Sequence, residues 1–337
     1  MTNAGSTRAG LGVTFCGAGI ALAIVCLASL LIGAGNTGAD LALATLLGQS
    51  SNEEARFVVY ELRLPRMLMG LAAGAALGVA GALLQAVTRN PLAEPGLLGV
   101  SAGSGLAVAI AIALGSSATT LRISVAQLGA LAGCLCVLAA ARTRGVGSDP
   151  IRLVLAGAAF SGLLFALTSL LLLLDQRTAD EIRFWLVGSI AGRSMDQVTA
   201  ILPSMALAAV LILLVIRSLA ALALGERTAV GLGHRPELVR LTVVVAVALL
   251  VGATTAVAGP IAFIGLVVPF AARALAGSDI RRALWLCLPL GPLTVIGADI
   301  LSRVVVQPSE LPLGVLTAML GAPVLVAVVR ANRLPSL

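Results

Sequence analysis

Long apolar runs, separated by short polar or glycine- and proline-containing stretches, recur from one end of the chain to the other. Ten can be marked, covering about residues 11–33, 63–88, 96–115, 122–142, 151–174, 196–217, 239–258, 261–273, 283–302 and 312–330. Most approach the roughly 20 residues that an α-helix needs to cross a hydrocarbon core. The second is longer and predicts a helix that reaches beyond the bilayer. The eighth is short and carries Pro269. A membrane barrel would show weaker alternating segments of about ten residues instead. The pattern therefore predicts an all-α polytopic membrane protein, read as one transmembrane domain over residues 1–337. The first run follows Arg8, as the apolar core of a signal peptide follows its basic end, but its apolar stretch is too long for a signal core and no A-x-A site follows. It reads as a retained span.

Composition agrees: 59% of the 337 residues are hydrophobic, 11% are charged, and the mean hydropathy is +1.07. A soluble chain of this length needs far more polar surface. All 22 basic residues are Arg. The phosphate-binding loop G-x-x-x-x-G-K-[ST] requires a Lys, so the chain lacks that loop and is not expected to hydrolyse ATP itself. The five cysteines, Cys16, Cys26, Cys134, Cys136 and Cys287, lie in apolar stretches and read as small buried hydrophobes. The single His, His234, lies in a polar loop and reads as solvated. No metal site or cofactor is expected in this chain.

Charge orients the spans. With both termini in the cytoplasm, inside segments hold 14 Arg and 5 carboxylates, and outside segments hold 8 Arg and 10 carboxylates. This matches the positive-inside rule. The expected location is the cell (cytoplasmic) membrane, multi-pass, with both termini inside. Three outside arginines run against the trend: Arg63 and Arg66 in "ELRLPRML", and Arg303 in "ADILSRVVV". The plain reading is snorkelling to the headgroups, with Glu61 and Asp299 as local partners.

Two further patterns bear on packing. Gly70, Gly74 and Gly78 form one helix stripe, with Gly81 beside it, and small residues at this spacing let helices approach closely. The halves also echo each other weakly, about residues 58–175 against 239–330; "GVAGALLQAV" (78–87) resembles "AVAGPIAFIG" (256–265). A broken segment follows in each. Inverted repeats with broken helices in corresponding places are a transporter signature.

The first break is "NPLAEPGLLGVSAG". Asn90-Pro91 stops the second span, because a residue before Pro avoids the α region. Pro95 sits near the start of the next helix, where its missing N–H costs little. Gly96, Gly99 and Gly103 then allow close packing. Glu94 is expected as a loop carboxylate at the inner mouth. A rigid turn at the cytoplasmic face accounts for these residues.

The stretch "RLPRMLMGLAAGAALGVAGALLQAVTRNPLAEPGLLGVSAGSG" resembles the FecCD-type permeases of binding-protein-dependent ABC importers, which carry ferric siderophores, haem and vitamin B12. The resemblance continues in order through "SDPIRLVLAG", "RFWLVGSIAGRS", "LALGERTAVGLG", "GPIAFIGLVVPFAARAL", "GADILSR" and "ELPLGVLTAMLGAPVLV". It implies the type II importer arrangement of ten helices in two inverted halves. It also implies a second permease copy or a paralogue, separate ATPase subunits that hold ATP and Mg, and a substrate-binding lipoprotein.

The resemblance assigns roles as well. Leu224, Gly225, Glu226, Arg227, Ala229, Leu232 and Gly233 match the segment that docks on the ATPase. Arg63, Arg66 and Arg303 match arginines that pair with acidic residues of the binding protein. Ser148, Asp149 and Pro150 match an inner gate, with Asn90, Pro91, Glu94 and Pro95 beside it. The pathway is expected along spans five and ten, Leu153 to Leu174 and Pro312 to Val326. "LDQRTADEIRFWLVGSIAGRS" favours a ferric siderophore over haem or vitamin B12. The rival class, an ion-coupled secondary transporter, needs an intramembrane carboxylate or His. Asp299 is its candidate, and Arg303 four residues on can neutralise it.

Overall fold

The computed structural model describes residues 4–33, 37–116, 123–142, 150–277, 279–306 and 309–330. Ten helices match the ten apolar runs: α1 (Ala4–Leu31), α4 (Leu64–Thr88), α5 (Val100–Ala113), α6 (Ile123–Arg142), α7 (Pro150–Leu174), α9 (Met195–Ala223), α11 (Pro236–Ala258), α12 (Ile264–Ala276), α13 (Ile280–Val304) and α14 (Leu313–Arg330). Four short helices that the runs did not signal lie between them: α2 (Ala39–Leu46), α3 (Glu53–Phe57), α8 (Gln176–Leu186) and α10 (Glu226–Gly231). No strand occurs among the described residues.

Among the described residues, seven helices are long and apolar enough to cross a hydrocarbon core; α5, α12 and the apolar part of α14 are shorter. At 14 and 13 residues, α5 and α12 rise only about 20 Å, short of the roughly 30 Å core. The face that carries the α1–α4 connection is called the outer face here, following the charge asymmetry.

α3, a π-helical turn at Val58–Arg63 and α4 form one continuous rod of 36 residues. Pro65 explains the wide turn: it has no N–H to offer the preceding carbonyls, and its ring crowds them. The rod runs through the centre of the molecule. In its most apolar stretch 78% of residues are buried, and α11 also reaches 78%. The corresponding shares are 22% for α7, 17% for α9 and 6% for α1. α4 and α11 thus form much of the interior, whereas α1, α7 and α9 present apolar sides outward to lipid or to a further chain.

The glycine stripe of α4 faces α13. A Cβ on Gly70 would lie 2.9 Å from Ile296, one on Gly74 2.4 Å from the Pro292 nitrogen, and one on Gly78 3.3 Å from the Cys287 carbonyl. Gly81 turns instead to α12, where a Cβ would lie 1.8 Å from the Gly265 oxygen. α5 and α6 close in the same way through Gly99 and Gly103 against Gly129 and Gly133. Gly96 differs from expectation: a Cβ there meets nothing within 4 Å. It serves the 3-10 turn Pro95–Leu98 and not the packing.

α8 is an amphipathic surface helix. The Asp175 side chain caps its start by accepting from the Thr178 N–H at 3.3 Å. Hydrogen bonds from Thr178, its hydroxyl first, hold the Asp175 carboxyl below the usual carboxylate range. Ile182 is buried, Trp185 and Leu186 are half-buried, and Arg183 faces outward.

Candidate functional sites

The three outer arginines do not stand on an exposed rim. Arg63, Arg66 and Arg303 are 4%, 9% and 2% exposed. Arg63 donates from Nη1 to the Leu30 and Leu31 carbonyls, both at 2.9 Å, and from Nη2 to the Thr37 carbonyl at 3.0 Å. Arg303 donates to the Ser29 and Ile32 carbonyls at 3.0 and 2.7 Å and to the Ser29 hydroxyl at 2.7 Å. Apart from Thr37 and the Ser29 hydroxyl, these acceptors are carbonyls at the end of α1, where intrahelical donors run out and partial negative charge gathers. Two guanidiniums therefore cap α1.

Arg66 grips both Asp299 oxygens, with contacts of 2.7 to 3.1 Å, and reaches Glu310 at 2.9 Å. Arg303 closes on the other side of Asp299 at 2.9 Å. The expected partner Asp299 is thus present, but snorkelling is not: long side chains that would reach water are turned inward because the α1 terminus and Asp299 need donors. The same geometry weakens the ion-coupling alternative, since the candidate carboxylate is held between two guanidiniums.

The second candidate region is the break after α4. Arg89 ends α4 in the left-handed conformation (φ 49°). Its guanidinium donates to the Leu222 carbonyl near the end of α9. The Asn90 side chain accepts from the Leu92 N–H at 2.9 Å and fixes the turn. Asn90 and Pro91 thus sit at the end of α4 opposite the outer face, beside the end of α9. Glu94 and Pro95 do not. The chain climbs back into the molecule, so that Gly99 packs against Gly133, midway along α6. Glu94 Oε1 accepts from the Phe263 N–H at 2.7 Å. Phe263 opens α12 and packs against Gly321, midway along α14. The break is a re-entrant segment, and Glu94 is an internal acceptor and not a carboxylate at the mouth. The physical reason is the short α12, whose first N–H groups lie inside the molecule and need an acceptor.

A buried link joins α4 to α12 below this point. Arg273 donates to the Gln85 side-chain oxygen, and Gln85 Nε2 lies 3.5 Å from the Gly265 carbonyl. Neither residue stands out in the sequence, where Arg273 is one of the inside arginines and Gln85 a lone polar residue in an apolar run.

The third region is the loop between α9 and α11. Leu224 follows α9, Gly225 turns the chain at φ 137°, and α10 begins at Glu226. Ala229 is buried and anchors α10, while Leu224, Val230 and Leu232 are 77%, 58% and 62% exposed. Arg227 is exposed as well. Gly233, at φ 80°, ends the turn. Glu226 pairs with Arg240 of α11 at 2.9 Å, so its first role is to hold α10 in place. His234 is half-buried against the Ser218 hydroxyl at 3.1 Å, not freely solvated. Ser148 and Asp149 lie outside the described residues, and Pro150 is the first residue of α7.

Residues 21–331 match the model of the FecCD transport family. The chain belongs to this family. It is 43% identical over 303 residues to the ferric enterobactin transport system permease protein FepD of Escherichia coli, covering 90% of each chain. It is 38% identical over 301 residues to the Fe(3+) dicitrate permease FecC of the same organism, covering 87% of this chain and 89% of FecC. A probable siderophore permease of Bacillus subtilis, YfiZ, is 37% identical over 274 residues, with 81% and 82% covered. Among solved structures, a metal-chelate type ABC transporter in an inward-facing conformation superposes with a TM-score of 0.80 at 28% identity, covering 96% of this chain and 99% of that one. Fold and family together make the chain an integral inner-membrane transport subunit, with seven long apolar helices and three shorter ones among the described residues.

Proposed function

We propose that this chain is the membrane-spanning permease subunit of an ABC importer that carries a ferric siderophore into the cytoplasm, driven by separate ATPase subunits. The observation that carries this reading is the 43% identity, over 90% of both chains, to a ferric enterobactin permease. Three physical features support it. The loop around α10 exposes Leu224, Val230 and Leu232, with Arg227 and Arg235 exposed in the same loop, which suits a soluble partner on the face expected in the cytoplasm. α7 exposes Leu163, Phe165, Leu167 and Leu170, and α14 exposes Met319, Leu320 and Val324, which suits a second permease and a shared apolar path. At the outer face the buried arginines fasten α1, α4 and α13 into a firm rim on which an extracytoplasmic binding protein can dock. In this reading they serve docking by holding the rim, with both termini in the cytoplasm and ATP and Mg on the partner.

The test is reconstitution. The purified chain alone is expected to show no ATP hydrolysis. With its ATPase and binding protein it should take up iron-labelled siderophore into proteoliposomes in an ATP-dependent way, and should not take up haem or vitamin B12. Uptake of haem with no uptake of siderophore would move the assignment to another substrate class.

The α10 loop gives a sharper prediction. Leu224→Glu combined with Leu232→Glu should weaken recovery of the ATPase subunit at least tenfold, because it puts charge into an apolar contact. The thermal midpoint of the permease should stay unchanged, since both side chains already face water. Undiminished recovery would return this segment to a plain connector.

A further inference from the structure

Two broken segments, one from each half, meet at mid-depth. From the first half comes Glu94-Pro95; from the second comes Phe263, with Gly265 at the start of α12. The Glu94 carboxylate accepts from the Phe263 N–H at 2.7 Å. The Pro95 ring closes over Gly265, where a Cβ would lie 2.7 Å from Pro95 Cδ. Phe263 itself stands at φ 67°, a region that residues with a Cβ avoid unless their surroundings hold them there.

The conformation has a consequence next door. Phe263 is driven against Gly321 of α14, where a Cβ would lie 2.5 Å from Phe263 Cβ and 2.7 Å from Cγ. Gly321 is thus a socket for the wedge. Two residues on, Pro323 removes a backbone donor from the interior of α14, so the wedge meets this helix at its weakest turn. The outward side of α14, including Met319, Leu320 and Val324, lacks internal cover.

We propose that Glu94 is a positioning residue that latches the two halves together. By fixing the Phe263 N–H it seats the ring against Gly321 and holds α14 in one arrangement; when the hydrogen bond opens, α14 is free to bend at Gly321–Pro323. The latch rests on the permease reading, in which α14 borders the substrate path.

Hydrogen–deuterium exchange on the permease–ATPase complex in lipid nanodiscs, with and without Mg-ATP, tests this. In the wild-type chain, exchange over residues 259–266 and 313–326 should change by about tenfold between the two conditions. In Glu94→Leu both segments should exchange fast in either condition, and the nucleotide effect should vanish. Glu94→Gln keeps a carbonyl acceptor and should behave as wild type, a rescue that mere loss of packing would not give. Phe263→Gly keeps the N–H but removes the wedge, so 313–326 alone should exchange faster.

Exchange in α1 and α6 is the folding control. If it rises in Glu94→Leu, Phe263→Gly decides the matter. Equal wild-type exchange with and without nucleotide overturns the latch, as does a Phe263→Gly chain within twofold of wild type over 313–326. Failure of the complex to form or to hydrolyse ATP would count against the permease reading and not against the latch.

Discussion

Replacing Asp299 with Ala should destabilise the folded permease by about 3–5 kcal/mol, the usual cost of removing one partner from a buried ion pair. Asp299 is 1% exposed and accepts from Arg66 on one side and Arg303 on the other. Without it, the Nε and Nη2 groups of Arg66 and one Arg303 contact lose their acceptor where water cannot replace it. Two like charges would then face each other with only Glu310 nearby. The loss should propagate, because Arg303 also caps α1 through Ser29 and Ile32. Arg303→Ala should therefore loosen α1 as well, seen as early proteolysis or fast exchange at its outer end. Thermal unfolding in detergent measures the first effect. The same variants separate two roles for the arginines. If Arg303→Ala keeps the wild-type midpoint and loses only affinity for an acidic binding protein, the internal network is dispensable and the arginines act across an interface.

Arg63, Arg66 and Arg303 mark where reading the sequence stopped short. The apolar runs locate ten helices because a hydrocarbon core sets length and composition, and both are local properties; that α5 and α12 stop short of crossing is not visible in them. The arginines were recognised as anomalous from the charge balance, and Asp299 was named as a partner because it lies one turn from Arg303. Their acceptors Leu30, Leu31, Ser29 and Thr37 are backbone carbonyls or small polar groups distant in sequence. No residue type announces an orphan carbonyl. Glu94 was misplaced for a related reason. Its local signals, Asn-Pro before it and Pro-Gly after it, specify a turn but not depth, and depth follows only from the fact that α5 and α12 are too short to cross. α8 had a legible signal that a search for spans passes over: Asp175 three residues before Thr178 as a cap, then Ile182, Trp185 and Leu186 at helical spacing.

The glycine spacing was legible as a close-packing stripe, and the structure shows that its members are not equivalent. Gly81→Val should be among the most damaging single changes in the chain. A Cβ at this position would fall 1.8 Å from the Gly265 oxygen and 2.5 Å from its carbonyl carbon. Both are backbone atoms of α12, so no rotamer change can relieve the clash, and α4 and α12 must separate. Separation would also pull Gln85, one turn further along α4, away from the Gly265 carbonyl and from Arg273. Arg273 is 4% exposed and its Nε and Nη1 have no partner among the described residues. Losing Gln85 would leave a buried cation with still less compensation. Overpacking alone costs about 1–3 kcal/mol; with the added loss of this link the total should exceed that range. Gly78→Ala is the internal comparison. Its closest contact is a Val268 methyl at 2.9 Å, a side-chain atom that can give way, so it should shift the thermal midpoint by much less. If Gly81→Val and Gly78→Ala prove equally mild, α4 and α12 do not approach as closely as the structure has them, and the route from Gln85 to Arg273 is not a structural tie.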